Sequence, residues 1–146
     1  MMKERYDALD MNTKLIWNFR DIGHTLRRNY EGRGSQARVL IVLSETGPIQ
    51  QSDLTRRLGI QAGSASEVLG KLEAAGYILR APSRQDRRTI EVSLTETGKE
   101  AAFAAKRERD ERHERMFSCL DEEEKARLLA LLEKLNRNWN GPCQGR

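Results

Sequence analysis

Three arginines beside one aspartate form the charge cluster with the most recognisable chemistry. The segment SRQDRRTIEVSLTETG, residues 83–98, carries Arg84, Arg87 and Arg88 around Asp86. Like charges repel one another, so the cluster suits an exposed loop that meets an anionic partner, such as the narrow minor groove of DNA and its flanking phosphates. Asp86 cannot bind phosphate, and we expect it to orient a neighbouring arginine or to brace the loop. A solvated turn without a partner is the alternative.

A second candidate surface is the outward face of a helix expected over about residues 62–75. Successive residues of a helix are rotated by about 100°, and the face opposite the apolar stripe is small and sparsely charged. It comprises Gly63, Glu67, Gly70, Lys71 and Ala74, flanked by Ser64 and Ser66. Each glycine costs about 1 kcal/mol of helix propensity relative to alanine, which suits close approach to another surface, as in a DNA major groove. Serine can donate to phosphates or bases, Lys71 can meet a phosphate, and Glu67 can accept from a cytosine amino group. Packing against a protein helix would favour the same small residues.

Helix signals place both surfaces in a mainly helical chain. Apolar periodicity, N-caps and glycine stops predict six helices, over about residues 9–30, 35–45, 51–58, 62–75, 95–119 and 121–139. Gly59 and Gly76 are expected to end the third and fourth helices, and Thr95 and Asp121 to cap the fifth and sixth.

Two short segments between the fourth and fifth helices predict a β-hairpin. YILR, residues 77–80, reads as one strand, and Ile90, Val92 and Leu94 alternate with polar residues as a second strand with one buried face. Two helices joined by a short turn and followed by a hairpin form a winged helix-turn-helix. The expected fold class is therefore mainly α with a small β-hairpin.

Composition narrows the function without deciding it. The 146 residues suit one domain, and the net charge of +4 is compatible with an anionic partner. No run approaches the roughly 20 apolar residues of a membrane span, and the charged start MMKERYDALD lacks a signal-peptide segment, so a cytoplasmic location is expected. Cys119 and Cys143 make no metal-ligand spacing, and His24 and His113 are isolated. We expect no catalytic site, metal or cofactor.

Several motifs in order resemble the MarR family of bacterial winged-helix transcription factors. They are SQARVLIVL, QSDLTRRLGI, SASEVLGKLEAAGYILR and DRRTIEVSLTETG, the last looking like the family's Asp-x-Arg wing followed by Leu-Thr-x-x-Gly. The resemblance covers nearly the whole chain and is most specific over residues 36–98. It implies that residues 61–75 form the recognition helix and that Arg88 is the wing arginine associated with minor-groove insertion. Asp86 matches the wing acid, whereas Glu67 departs from the basic or neutral polar residue that many relatives carry.

The resemblance also implies a homodimer built by the terminal helices. It implies one domain, residues 1–146. Within that domain, residues of about 1–33 and 119–146 form the dimerisation helices, about 35–98 form the DNA-binding lobe, and about 95–119 form a connecting helix. The apolar stripes at 15–26 and 128–139 fit dimerisation, although either could complete a monomer core.

These expectations define a set of site residues. DNA contacts are expected from Ser52, Gln61, Gly63, Ser64, Ser66, Glu67, Lys71, Arg84, Arg87 and Arg88. Many members of the family release DNA when a small aromatic or phenolic anion binds, and Trp17, Arg20, His24 and Arg38 lie on segments that resemble those lining that pocket. The predicted function is a homodimeric, sequence-specific repressor of a pseudo-palindromic operator, released by such a ligand. The alternative is a ligand-independent DNA-architectural or protein-interaction module.

Overall fold

The computed structural model describes residues 2–30 and 35–141, and within them a mainly helical chain with one small sheet. The elements are α1 (Met2–Asp7), α2 (Met11–Tyr30), α3 (Ser35–Thr46), β1 (Ile49–Gln50), α4 (Gln51–Leu58), α5 (Ala62–Ala74), β2 (Ile78–Pro82), β3 (Ile90–Leu94), α6 (Glu96–Met116) and α7 (Glu122–Asn140). The expected fold class, a winged helix-turn-helix flanked by helices, is confirmed. Cys143 lies outside the described residues.

The chain divides within α6 into two compact units, residues 1–106 and 107–146. The core of the first unit is built from α3, α4, α5, the sheet and the start of α6. Its buried members are Val39, Leu40, Leu43, Leu54, Leu58, Leu69, Leu72, Ile78, Val92 and Ala102. The roles assigned to segments of the chain, including the dimerisation helices, stay predictions.

The first predicted helix, expected from about residue 9, begins at Met11 as α2, directly after Asp10. The Asp10 carboxylate accepts from the Thr13 hydroxyl at 2.6 Å and from the Thr13 backbone N–H at 3.1 Å. The second bond satisfies an otherwise unpaired N–H in the first turn of α2. The bond from the hydroxyl is the main cause that lowers the pKa of Asp10. The separate helix α1 precedes it, and Lys14 Nζ donates to the carbonyl of Asp7 at 3.1 Å.

The other helix ends lie close to where sequence signals predict them. Gly59 and Gly76 have φ values of +64° and +80°, a left-handed conformation that glycine adopts at little cost. At the start of α7, the Asp121 side chain accepts from the backbone N–H of Glu124, and the Glu124 side chain accepts from that of Asp121. This reciprocal capping box confirms the expected cap.

The sheet has three antiparallel strands in the order β1-β3-β2. The hairpin pairs Ile78 with Leu94 and Pro82 with Ile90, while β1 adds Ile49 opposite Val92. Val92 is fully buried, but Ile90 is 46% exposed, so the prediction of one continuous buried face is wrong at that residue. Ile90 pairs at the distal end of the hairpin, beyond the part of β3 that covers the core.

Thr95 joins the base of the hairpin to α6. Its hydroxyl donates to the Gly76 carbonyl at 2.7 Å and accepts from the Gly98 N–H at 2.9 Å, which confirms the expected N-cap. The Thr95 N–H donates to the Tyr77 carbonyl at 3.0 Å. A Cβ on the buried Gly98 would collide with that carbonyl oxygen. Glycine is therefore required here by close approach between α6 and Tyr77.

Candidate nucleic-acid interface

Helices α4 and α5 form the helix-turn-helix, and their orientation is held by the core. Leu54 and Leu58 bury one face of α4, while Ala65, Leu69 and Leu72 bury one face of α5. The opposite face of α5 is thereby directed away from the core.

That outer face is exposed and has open backbone. Ser64, Ser66, Glu67 and Lys71 are exposed, and a Cβ built on Gly63 or Gly70 would meet no heavy atom within 4 Å. Gly63 is likewise exposed. The packing of the described chain therefore does not explain why glycine occupies either position, and the space above both remains open to another molecule.

Glu67 and Lys71, for which the sequence analysis predicted separate DNA contacts, lie in contact with each other. Lys71 Nζ is 3.1 Å from Glu67 Oε1, and the two side chains are 61% and 69% exposed. The spacing of four residues, with the acid nearer the N-terminus, is the favourable order for such a pair on a helix. The two charges form one exposed acid–amine unit on the outer face of α5.

Ser52 and Gln61 flank this face at the start of each helix. Ser52 is exposed in the first turn of α4, and Gln61 is the exposed N-cap of α5. Gln61 makes no side-chain capping bond, so its amide is available for a contact outside the helix.

The wing is the loop of residues 83–89, and main-chain hydrogen bonds fold it into a tight turn. The carboxylate of Asp86 accepts from the Arg88 N–H at 3.0 Å. The Asp86 carbonyl accepts from the N–H of Thr89 at 3.0 Å and from its hydroxyl at 2.8 Å. Of the two tasks considered for Asp86, these bonds correspond to bracing the loop. Arg84, Arg87 and Arg88 are all exposed on it.

An ion pair that the sequence did not predict joins β2, the strand that leads into the wing, to α5. Arg80 on β2 donates through Nε and Nη2 to the two carboxylate oxygens of Glu73, at 3.1 and 3.2 Å. The Arg80 side chain is only 24% exposed. Its hydrogen bonding lowers the pKa of Glu73. The partners lie on a helix and a strand across a turn, so no helical spacing rule relates them.

The four residues expected around a ligand lie on α2 and α3. Trp17, Arg20 and His24 share one face of α2 at spacings of three and four residues. The Trp17 ring centroid lies 6.4 Å from that of Tyr6. Arg38 on α3 donates through Nη2 to the Leu58 carbonyl at 2.9 Å, which satisfies a C-terminal carbonyl of α4.

One cavity within the first unit is lined by residues other than these four. It measures about 330 Å³ and is lined by Leu43, Ser44, Gly47, Pro48, Ser93, Leu94 and Lys99. It therefore does not coincide with the four residues expected around a ligand.

The apolar stripes of α2 and α7 are largely uncovered. On α2 the side chains that are 40–55% exposed are Leu15, Ile16, Trp17, Ile22 and Leu26. On α7 those that are 38–59% exposed are Leu128, Leu129, Leu131 and Trp139. Several exposed large apolar side chains on one helix are typical of a surface that contacts a partner.

Residues 2–30 and 35–141 contain neither a metal site nor a membrane-spanning helix. No group of three or more acidic, histidine or cysteine side chains there is placed to hold a metal ion. In the same residues, no helix is both long and apolar enough to cross a membrane.

Comparison with known proteins gives consistent likenesses. A family model described as MarR family matches residues 33–89. An HTH-type transcriptional regulator of Bacillus cereus is 32% identical over 105 residues, which are 71% of this chain and 69% of that protein. The regulator YpoP of Bacillus subtilis is 28% identical over 139 residues, 93% of this chain and 99% of that protein. For two other Bacillus subtilis regulators, YdgJ and YfiV, the match spans 65% and 64% of their lengths.

Solved structures share the fold. The complex of Staphylococcus aureus MepR with DNA has a TM-score of 0.67 and 26% identity, covering 84% of this chain and 96% of that one. The winged helix-turn-helix and these likenesses define a class of transcriptional regulators rather than of enzymes. Within that class, the chain belongs to the MarR family.

Proposed function

We propose that this protein is a transcriptional repressor that binds a pseudo-palindromic operator in double-stranded DNA as a homodimer. Helix α5 enters the major groove, and the wing places Arg88 in the minor groove, with Arg84 and Arg87 at the phosphates. The outer face of α5 carries the proposal, because its open backbone at Gly63 and Gly70 lies among exposed polar side chains.

The glycines of α5 are best explained by an external partner. Gly70 lies in the interior of the helix, where glycine costs about 1 kcal/mol relative to alanine. Nothing in the described chain occupies the space where its Cβ would stand. A base edge or sugar-phosphate backbone in that space would contact the helix main chain directly, and Ser64 and Ser66 would donate to it.

The braced wing prepares its arginines for DNA. The bond between the Asp86 carboxylate and the Arg88 N–H fixes the main chain from which the Arg88 guanidinium projects. A positioned arginine loses less conformational freedom on binding, and a narrow minor groove attracts it through enhanced negative potential. The Arg80–Glu73 pair sets the strand that carries the wing against α5, so both reading elements can engage one duplex together.

A homodimer would present a second copy of α5 and of the wing to the DNA. The exposed apolar faces of α2 and α7 support it, because burying them against a second copy removes apolar surface from water. A two-fold dimer can place its recognition helices on half-sites about 34–36 Å apart, one turn of the duplex. The operator is therefore expected to be pseudo-palindromic.

The effector is proposed to be a small aromatic anion that contacts α2. Trp17 offers an aromatic face, while Arg20 and His24 on the same side of the helix offer hydrogen-bond donors. Arg38 already donates to the Leu58 carbonyl, but a guanidinium has five N–H donors, so others remain for a ligand. Binding of the anion is proposed to release the operator. A cytoplasmic location accords with this role.

Operator binding by Arg88→Ala tests the proposal. An operator is first selected from random duplexes with the wild-type protein, and Kd is then measured at one fixed salt concentration. We expect Arg88→Ala to weaken binding on the order of tenfold, with unchanged circular dichroism and oligomeric state. Arg107→Ala is the matched control, because it removes the same charge from an exposed site on α6.

Other outcomes would redirect the assignment. Equal affinities of wild type and Arg88→Ala would contradict the role of the wing. Sequence-independent binding with a steep salt dependence would favour an architectural role. Absence of binding to any duplex would favour a protein-interaction module.

A further inference from the structure

We infer that Glu67 and Lys71 act as one unit that reads a single C·G base pair in the major groove. This inference rests on the proposed DNA-binding role of α5 and specifies which base pair its outer face selects. The observation behind it is the exposed ion pair, with Lys71 Nζ 3.1 Å from Glu67 Oε1.

The spacing of the two head groups matches the edge of a C·G pair. In the major groove, the cytosine N4 amino group donates and the guanine O6 accepts. These two atoms are joined by a Watson–Crick hydrogen bond, so they lie about 2.9 Å apart. The Glu67 carboxylate can accept from N4 while the Lys71 ammonium donates to O6. The distance between Lys71 Nζ and Glu67 Oε1, 3.1 Å, is thus nearly equal to the distance between O6 and N4 of the base pair.

The neighbouring atoms distinguish this pair from A·T. An A·T pair also presents an amino group beside a carbonyl oxygen, N6 beside O4. However, the adenine N7 lone pair lies next to N6 and would repel Glu67, while the thymine methyl group next to O4 offers Lys71 no acceptor. In a C·G pair, guanine N7 lies next to O6 and provides Lys71 with a second acceptor.

The surroundings of the ion pair favour this contact. Gly63 and Gly70 lie on the same face without side chains, so Glu67 and Lys71 project beyond it. Pairing also explains how an acid can occupy a surface that faces DNA. A lone carboxylate would be repelled by the phosphates, whereas the acid–amine unit carries no net charge and acts on the base edge.

The test exchanges the two side chains. The variant that combines Glu67→Lys with Lys71→Glu keeps composition and net charge but reverses the order of donor and acceptor along α5. Wild type is expected to prefer C·G over G·C at one position of each half-site by roughly tenfold to a hundredfold. The exchanged variant should prefer G·C at that position. A variant with glutamine at both residues should lose the preference there and keep it at every other position.

Affinity and salt dependence separate this reading from a phosphate contact of Lys71. In that case Lys71→Gln would weaken all duplexes uniformly and reduce the salt slope by about 1, and Glu67→Gln would tighten binding; either result would overturn the inference. A preference that survives the exchange would also overturn it, while leaving operator binding intact. If wild type selected no site at all, the proposed function would fail together with the inference. Circular dichroism of each variant verifies that the exposed substitutions leave the fold unchanged.

Discussion

Alanine at Gly98 and alanine at Gly70 should change stability in opposite directions. The two glycines lie in helices, so the same methyl group is added in each case. At Gly98, the new Cβ would collide with the Tyr77 carbonyl oxygen, which belongs to main chain and cannot rotate away. At Gly70, it would meet nothing within 4 Å.

The size of each effect follows from these contacts. Forcing extra volume into a packed site costs about 1–3 kcal/mol. Displacing Tyr77 also weakens its hydrogen bond from the Thr95 N–H, 3.0 Å long, worth about 1 kcal/mol. Alanine recovers up to about 1 kcal/mol of helix propensity. The net loss of unfolding free energy for Gly98→Ala is therefore about 1–3 kcal/mol, and Gly70→Ala should gain up to about 1 kcal/mol.

Urea denaturation at one fixed protein concentration measures both changes, because the proposed dimer makes stability depend on concentration. Gly70→Ala should also bind the selected operator less tightly than wild type, since its methyl group occupies the space assigned to DNA. A Gly98→Ala protein as stable as wild type would refute the packing argument. A Gly70→Ala protein with unchanged affinity would refute the assignment of that space.

Two further predictions concern the wing and its support. Asp86→Ala removes the bond to the Arg88 N–H on an exposed loop. The operator Kd should therefore rise severalfold, while the urea midpoint stays nearly unchanged. A loss of unfolding free energy as large as the loss of binding free energy would contradict a brace that acts only on the loop. Arg80 lowers the pKa of Glu73 in the folded state. The ion pair therefore stabilises the fold fully above the ordinary carboxyl pKa, and this stabilisation is lost as the pH falls through the lowered pKa of the folded state. Glu73→Gln should thus be less stable than wild type at neutral pH and equal to it in strong acid, and a difference that persisted on acidification would contradict this linkage.

Local signals accounted for much of the fold. The helix ends at Gly59 and Gly76 could be predicted because a left-handed φ favours glycine at that single residue, whatever the rest of the fold does. The helix α1 and the strand β1 were not anticipated. α1 has six residues with little apolar periodicity, and β1 has only two, Ile49 and Gln50, whose strand character comes from pairing with β3.

The candidate site shows the same division. The positions of residues on the outer face of α5 followed from helical rotation. The contacts that organise the site did not, because they join residues brought together by the fold. The Arg80–Glu73 pair depends on β2 returning past α5, and the need for glycine at position 98 is set by the carbonyl of Tyr77.

The hydroxyl of Thr95 carries a single proton, and one oxygen atom serves two helix ends. It donates to the carbonyl of Gly76, just past α5, and accepts from the N–H of Gly98, at the start of α6. Displacing the Thr95 side chain breaks both bonds at once, so a motion that moves Thr95 should expose the two helix ends together in amide hydrogen exchange. A movement of the first turn of α6 that carries Thr95 with it would therefore also remove the hydrogen bond on the Gly76 carbonyl at the end of α5.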